Sequence, residues 1–387
     1  MGDLAFRRSP HVVTFWQSGE HLLFNYATGV VVRASSLAIE VLDGLGKWKT
    51  WATLSRNRSP EEQRLLRRLV NLMVRRTFVT RSDEPRDVDE QLSAWRTWNP
   101  AAGFFHFATK DVSYRSAVVE TSAATRREGR TLRAPAPLKT KYPAGVELPP
   151  ARVAGEIPSL LLARRTWREF GRAPISLTDL ATLLQLTWGV QGWIQVPRVG
   201  PHALKTSPSG GARHSIEVYV LARKVASLDP GLYHYQPDAH RLARIGRRGA
   251  RQVTEYIPGQ HWYNGAGAVL LMTTVFDRVQ WRYPHARAYR AILAEAGHLC
   301  QTFCLVATWL GLAPFCTMGL SDRRIESDLE IDGVSESIIY AAGVGSRPKG
   351  VAWAPWPGTD RTPVLTPPAH AGRRAVSRAR RQPSQDR

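Results

Sequence analysis

Residues 207–215 read Ser-Pro-Ser-Gly-Gly-Ala-Arg-His-Ser and run without a break into Ile216, Val218 and Val220, the alternating pattern of a strand with a buried face. Gly210 and Gly211 let a backbone approach a flat or charged ligand closely, and Ser207 and Ser209 offer hydroxyls without bulk. Turns use the same residue types for positive φ. The loop alone is therefore either a turn or a ligand cradle.

Two further stretches carry cations. In LLARRTWREF, residues 161–170, Arg164, Arg165 and Arg168 fall within one or two helical turns around Thr166, and clustered guanidinium groups bind a phosphate through paired donors. Alone, this stretch reads equally as a solvated basic helix end. In AAGVGSRPKG, residues 341–350, Gly343, Gly345, Arg347 and Lys349 stand at the exit of an apolar strand, where an anion can be held. No third glycine and no helix follow, so this is not a dinucleotide fingerprint. Three anion-capable places at strand ends point to one phosphorylated cofactor.

Four segments must position these residues. Residues 1–82 read as a winged-helix-like unit: a hairpin from HVVTFW and HLLFNYATGVVVR, helices from SSLAIEVLDGLG, WKTWATLSR and SPEEQRLLRRLVNLMVRR, and a closing TFVT strand. Ser59, Pro60 and Glu62 form an N-terminal capping pattern. Residues 83–150 lose periodicity and read as a linker wrapping a neighbour, with GFFHFATKD (103–111) docked within it. Residues 151–355 read as an α+β domain. Residues 356–387 read as a basic, solvated tail.

Composition bounds the classes. The 387-residue chain is 43% hydrophobic, enough for a sizeable core, and its N-terminus lacks a secretory pattern. No run approaches the ~18 uninterrupted apolar residues of a membrane helix, so no membrane partner and a cytoplasmic location are expected. Cys300, Cys304 and Cys316 read as reduced core thiols rather than a metal site or disulfide. The net charge of +21 is spread along the chain, and specific nucleic-acid binding is not expected from it. Zinc-protease, zinc-ribbon, nucleophile-elbow and P-loop motifs are absent. His298, amid apolar neighbours, reads as a satisfied core histidine.

Taken in order, RRTWREF, SPSGG before EVYV, GLYHY, YRAILAEAGHLCQTFCLVATWLGL and GVGSRPKG resemble the nitroreductase fold. More narrowly, the set is similar to the SagB-type dehydrogenases, flavin-dependent azoline oxidases of ribosomal peptide biosynthesis. The resemblance implies FMN. Arg164, Arg165, Thr166 and Arg168 would meet its phosphate, ribityl and pyrimidine groups. Ser207, Pro208, Ser209 and Gly210 would lie on the isoalloxazine from a facing subunit, Gly319 near N5, and Arg347 with Lys349 at the phosphate. It implies a homodimer, a leader-bearing peptide substrate gripped by the N-terminal unit, and a possible cyclodehydratase complex.

The family places a Lys-Tyr pair before the YR motif, where this chain has Arg282 and Tyr283. A guanidinium remains charged in proteins, so Arg282 is a poor base. Either Tyr283 takes the proton beside Arg282, or Arg282 binds substrate, or the substrate is not an azoline. An NAD(P)H-dependent nitroreductase-like enzyme is one alternative; a winged-helix DNA-binding regulator is another, of a different class.

Overall fold

The structure is a computed structural model that describes residues 4–84, 92–95, 97–98, 100–111, 148–246, 252–350 and 353. The centre of the expected linker and the basic tail lie outside the described residues.

The N-terminal unit comprises β1 (Ala5–Arg8), β2 (Val12–Gln17), β3 (Glu20–Asn25), β4 (Val30–Arg33), α1 (Ser36–Gly44), β5 (Lys49–Thr50), α2 (Trp51–Ser55), α3 (Pro60–Arg75) and β6 (Val79–Arg81). The local signals explain most of these bounds. Ser35 caps α1, and Ser59 and Glu62 cap α3 reciprocally. Strands β2, β3 and β4 form one antiparallel sheet, while β5, β1 and β6 form another. The second sheet was not expected, because β1 and β5 are too short to show alternation. Leu66, Val70 and Met73 turn the apolar stripe of α3 onto Phe6, Leu23, Leu42 and Phe78.

Helix α4 (Ala101–Ala108) docks this unit onto the rest, as the GFFHFATKD stretch suggests. Phe104 packs against Phe15 and Phe24 on one side. On the other, the fully buried Trp95 and Trp98 donate to the carbonyls of Val334 (3.0 Å) and Tyr283 (2.9 Å), and Lys110 pairs with Glu326 at 2.7 Å. Burying that ion pair fixes the segment's register against the next domain.

There follow α5 (Glu156–Ala163), α6 (Leu177–Trp188), β7 (Gly192–Val196), β8 (Gly200–Leu204), β9 (Ile216–Ala222), β10 (Gly231–Gln236), β11 (Arg241–Ile245), α7 (Val253–Tyr256), β12 (Ala268–Val275), α8 (Phe276–Gln280), α9 (Tyr289–Trp309), β13 (Ala313–Thr317), α10 (Asp322–Leu329) and β14 (Glu336–Gly345). Six of the strands make an antiparallel sheet in the order β11-β10-β9-β12-β14-β13. Its central strands are apolar on both faces. Val218, Val220, Leu270 and Met272 meet α6 and α9, while Leu221, Val269 and Leu271 meet α10 and Phe315. This is the α+β, nitroreductase-like arrangement expected from the motif order.

The stretch 286–309, which includes α9, is long and apolar enough by composition to cross a membrane, contrary to the expectation from uninterrupted runs. Here Ile292, Ala296, Leu299, Phe303 and Ala307 bury it in the core. A helix serving one central core needs the same composition.

Candidate functional site

The basic stretch is not helical. Helix α5 ends at Ala163, and Arg164–Phe170 have no regular structure because their backbone is tied elsewhere. The Trp167 N–H donates to the Pro314 carbonyl and the Gly171 N–H to the Ser346 carbonyl, both at 2.8 Å. These bonds bring Arg164, Arg165, Thr166 and Arg168 beside the β13–β14 edge. Arg347 approaches the same stretch, with its guanidinium 5.5 Å from the Trp167 ring centre. Trp353 donates to the Thr166 carbonyl (2.9 Å), and its ring lies 5.7 Å from the Arg165 guanidinium.

Arg347 has a second task. Its Nε and Nη2 donate to the carbonyls of Leu312 (2.9 Å) and Thr308 (3.2 Å), satisfying acceptors at the end of α9. Lys349 is exposed. Gly343 and Gly345 lie inside β14, not beyond it, and both make room for rings. A Cβ on Gly345 would stand 2.7 Å from Phe170 Cδ1, and one on Gly343 would strike Phe315. Close packing therefore accounts for these two glycines.

The Ser/Gly loop lies on α9. The hydroxyls of Ser207 and Thr302 are 2.7 Å apart, and the Ser209 hydroxyl donates to Glu295 (2.8 Å) while accepting the His214 N–H (2.9 Å). His298 reaches the Pro208 carbonyl at 3.2 Å. That histidine is exposed, so its expected core placement is wrong. Residues 296, 299, 300 and 303 carry the buried stripe, and at 100° per residue position 298 falls outside it.

Tyr283 joins this loop. Gly210 and Gly211 pass beneath its ring, and a Cβ on Gly211, at φ +62°, would stand 2.8 Å from Tyr283 Oη. Arg282, its neighbour, is exposed, as is His285.

Glu295 is the residue that sequence reasoning missed. It is 4% exposed, and burial holds its carboxyl above the ordinary range despite donors from Ser209, Ile216 and Ser215. A lone carboxylate inside an apolar helical run was the available signal. Lys205, before the loop, is pushed below its ordinary range by burial.

Gly319 is buried in the turn between β13 and α10; its N–H donates to Thr317 Oγ1 (3.1 Å) and its carbonyl accepts from Gln260 (3.4 Å). Its neighbours Met318 and Leu320 line a cavity of about 250 Å³ with Phe105, Tyr289, Leu293 and Asp322. Burial pushes the Asp322 carboxyl up to about 6.

The Ser/Gly loop and the basic corner lie on opposite sides of α9. Glu295, His298 and Thr302 face the loop; Cys300 and Cys304, about half a turn away, face Cys316, on which the Arg164 charge acts. A single chain does not wrap both groups around one ring. Their donor types nonetheless fit FMN: guanidinium groups on neighbouring segments for a phosphate, and a small, bare surface for a ring elsewhere.

Residues 161–346 match the nitroreductase family, so this part of the chain is a nitroreductase-family domain. Among curated relatives, a nitroreductase candidate of Methanocaldococcus jannaschii is 29% identical over 46% of this chain and 85% of its own length. The trifolitoxin-processing protein TfxB of Rhizobium leguminosarum bv. trifolii is 30% identical over 43% of this chain and 46% of its own. The microcin B17-processing protein McbC of Escherichia coli is 26% identical over 32% and 48%. The chain thus spans less than half the length of the two peptide-processing relatives.

Proposed function

We propose that the protein is an FMN-dependent dehydrogenase of the SagB type that oxidises azolines to azoles in a ribosomally made peptide. The observation that carries this reading is the seating of Tyr283 on Gly210 and Gly211, which joins the phenol suited to proton transfer to the loop suited to a flavin ring. The similarity to the trifolitoxin- and microcin-processing proteins supports a peptide substrate.

When bound, FMN supplies the acceptor for the hydride that leaves the azoline. The chain's residues do the rest. Arg164, Arg165, Arg168 and Arg347 hold the phosphate corner, with Lys349 at its margin, while the Ser207–Gly210 loop supports the ring of the cofactor in the facing subunit of a homodimer. Oxidation also removes a proton, which passes to Tyr283 Oη, while Arg282 binds the substrate. Glu295, below the loop, holds Ser209 in place through a 2.8 Å hydrogen bond.

The β2–β3–β4 sheet supports leader-peptide capture by strand addition. Trp16, 72% exposed and stacked on His21, marks its outer edge. A peptide carrying a thiazoline or oxazoline, incubated with the FMN-loaded protein and oxygen, should lose one hydride and one proton per ring, read by mass. Bleaching by NADPH with no change in the peptide would instead support the reductase reading, which the exposed Arg282 keeps open.

A further inference from the structure

All three cysteines of the chain converge on one point. Cys300 and Cys304 stand one turn apart on α9, Cys316 comes from β13, and the three Sγ atoms lie within 4.8 Å of one another. They are free thiols; Cys300 and Cys304 are buried and Cys316 is half-buried. Cys316 pairs with Ala342 across the β13–β14 ladder, so Tyr340, two residues along β14, lies on the same face of the sheet as Cys316. The Arg164 charge acts on both Cys316 and Cys304.

Packing alone asks only for small apolar groups here, which alanine or valine would supply. It does not require every sulfur of a 387-residue chain to meet the other two. Three sulfurs from two elements, with a hydroxyl oxygen next to them, form instead the donor set of a thiophilic metal. Tetrahedral zinc with Zn–S bonds of about 2.3 Å needs sulfurs roughly 3.8 Å apart, so the longest pair here closes by at most about 1 Å. Side-chain rotation about χ1 covers that range.

We propose that Cys300, Cys304 and Cys316 bind a zinc-class d10 metal ion as thiolates, with the Tyr340 hydroxyl at the fourth position. Three thiolates around a divalent cation leave one negative charge, and Arg164 lies where it offsets that charge. The ion would clamp α9 to the β13–β14 edge directly behind the basic corner. Binding releases the thiol protons to solvent and involves no change of oxidation state. This site takes no part in the azoline reaction, though it shares Arg164 with the basic corner.

The test is to express the full chain in minimal medium supplemented with cobalt, a spectroscopic stand-in for zinc, and to purify it under a phosphine reductant. The spectrum is read as the difference between cobalt-grown and zinc-grown protein, which cancels any flavin contribution. We expect about one cobalt per chain, a thiolate-to-cobalt charge-transfer band, and the intense visible bands of a four-coordinate ion. Cys316→Ser and Cys304→Ser should each lose the charge-transfer intensity while keeping the far-ultraviolet dichroism. Should either variant fail to fold, the wild-type spectrum decides alone. Protein with three free thiols, counted after unfolding, that carries no cobalt, or carries it without the charge-transfer band, overturns the site. So does a disulfide between any two of the three in the reductant-treated protein.

Discussion

The phenolic oxygen of Tyr283 occupies the space that a Cβ on residue 211 would enter, 2.8 Å from it, and residue 211 is a glycine at φ +62°. The bareness of the loop is therefore fixed from inside the chain as well as by any ligand outside it. Gly211→Ala should meet both a left-handed backbone cost of about 1 kcal/mol and the displaced phenol. A fall in Tm of roughly 2–4 °C is expected. Gly210→Ala is the control, since its Cβ would find Ala291 at an ordinary 3.4 Å.

Tyr283 and Arg282 separate in kinetics. Tyr283→Phe should lower azoline oxidation by about 100-fold or more, the usual scale of a lost proton-transfer group, while leaving bound FMN in place. Arg282→Lys retains the charge and should keep substrate affinity within an order of magnitude. Single-turnover flavin reduction with excess peptide measures both.

At the basic corner, Arg164 and Arg347 should behave differently. Losing a charge-assisted hydrogen bond to phosphate, of about 1.5–3 kcal/mol, weakens FMN binding by roughly 10- to 100-fold in either Arg164→Ala or Arg347→Ala. Arg347 also holds the carbonyls of Leu312 and Thr308, so Arg347→Ala alone should lower Tm as well. Flavin fluorescence and thermal melts of the apo-protein separate these effects.

The Lys110–Glu326 pair, each side chain 6% exposed, ties the turn after α4 to α10. Removing one partner leaves an uncompensated buried charge, and Lys110→Met should cost about 3–5 kcal/mol. Urea unfolding measures it. Glu326→Gln added to Lys110→Met should recover part of the loss.

Asp322 gives the stability a pH dependence. Its carboxyl is raised from 3.8 to about 6 by burial, so its protonated form favours the folded state. That contribution is complete below the ordinary carboxylate pKa and is lost as pH rises towards 6. It amounts to something on the order of 3 kcal/mol. Subtracting the urea-stability profile of Asp322→Asn from that of the wild type should reveal this fall between pH 4 and 6.

Much of this architecture was written in local signals. Ser59 with Glu62, and Ser176 at the start of α6, cap their helices as their types require, and β9, β10, β12 and β14 show the apolar character of buried strands. The hairpin β7–β8 was not legible, because Pro201 and exposed Trp193 and Ile194 obscure its alternation. Nor was the extended form of Arg164–Phe170, which depends on bonds to Pro314 and Ser346 far along the chain. The candidate residues could be picked out by type. Their partners were not: Glu295 beneath Ser209, Tyr283 over Gly211 and Arg347 on the α9 carbonyls are products of tertiary packing.

The central claim is that the basic corner and the Ser/Gly loop hold FMN. The purified full-length protein should absorb between 350 and 500 nm as a flavoprotein and release FMN, about one per chain, on denaturation. A colourless protein that also fails to bind added FMN would contradict the account at its base.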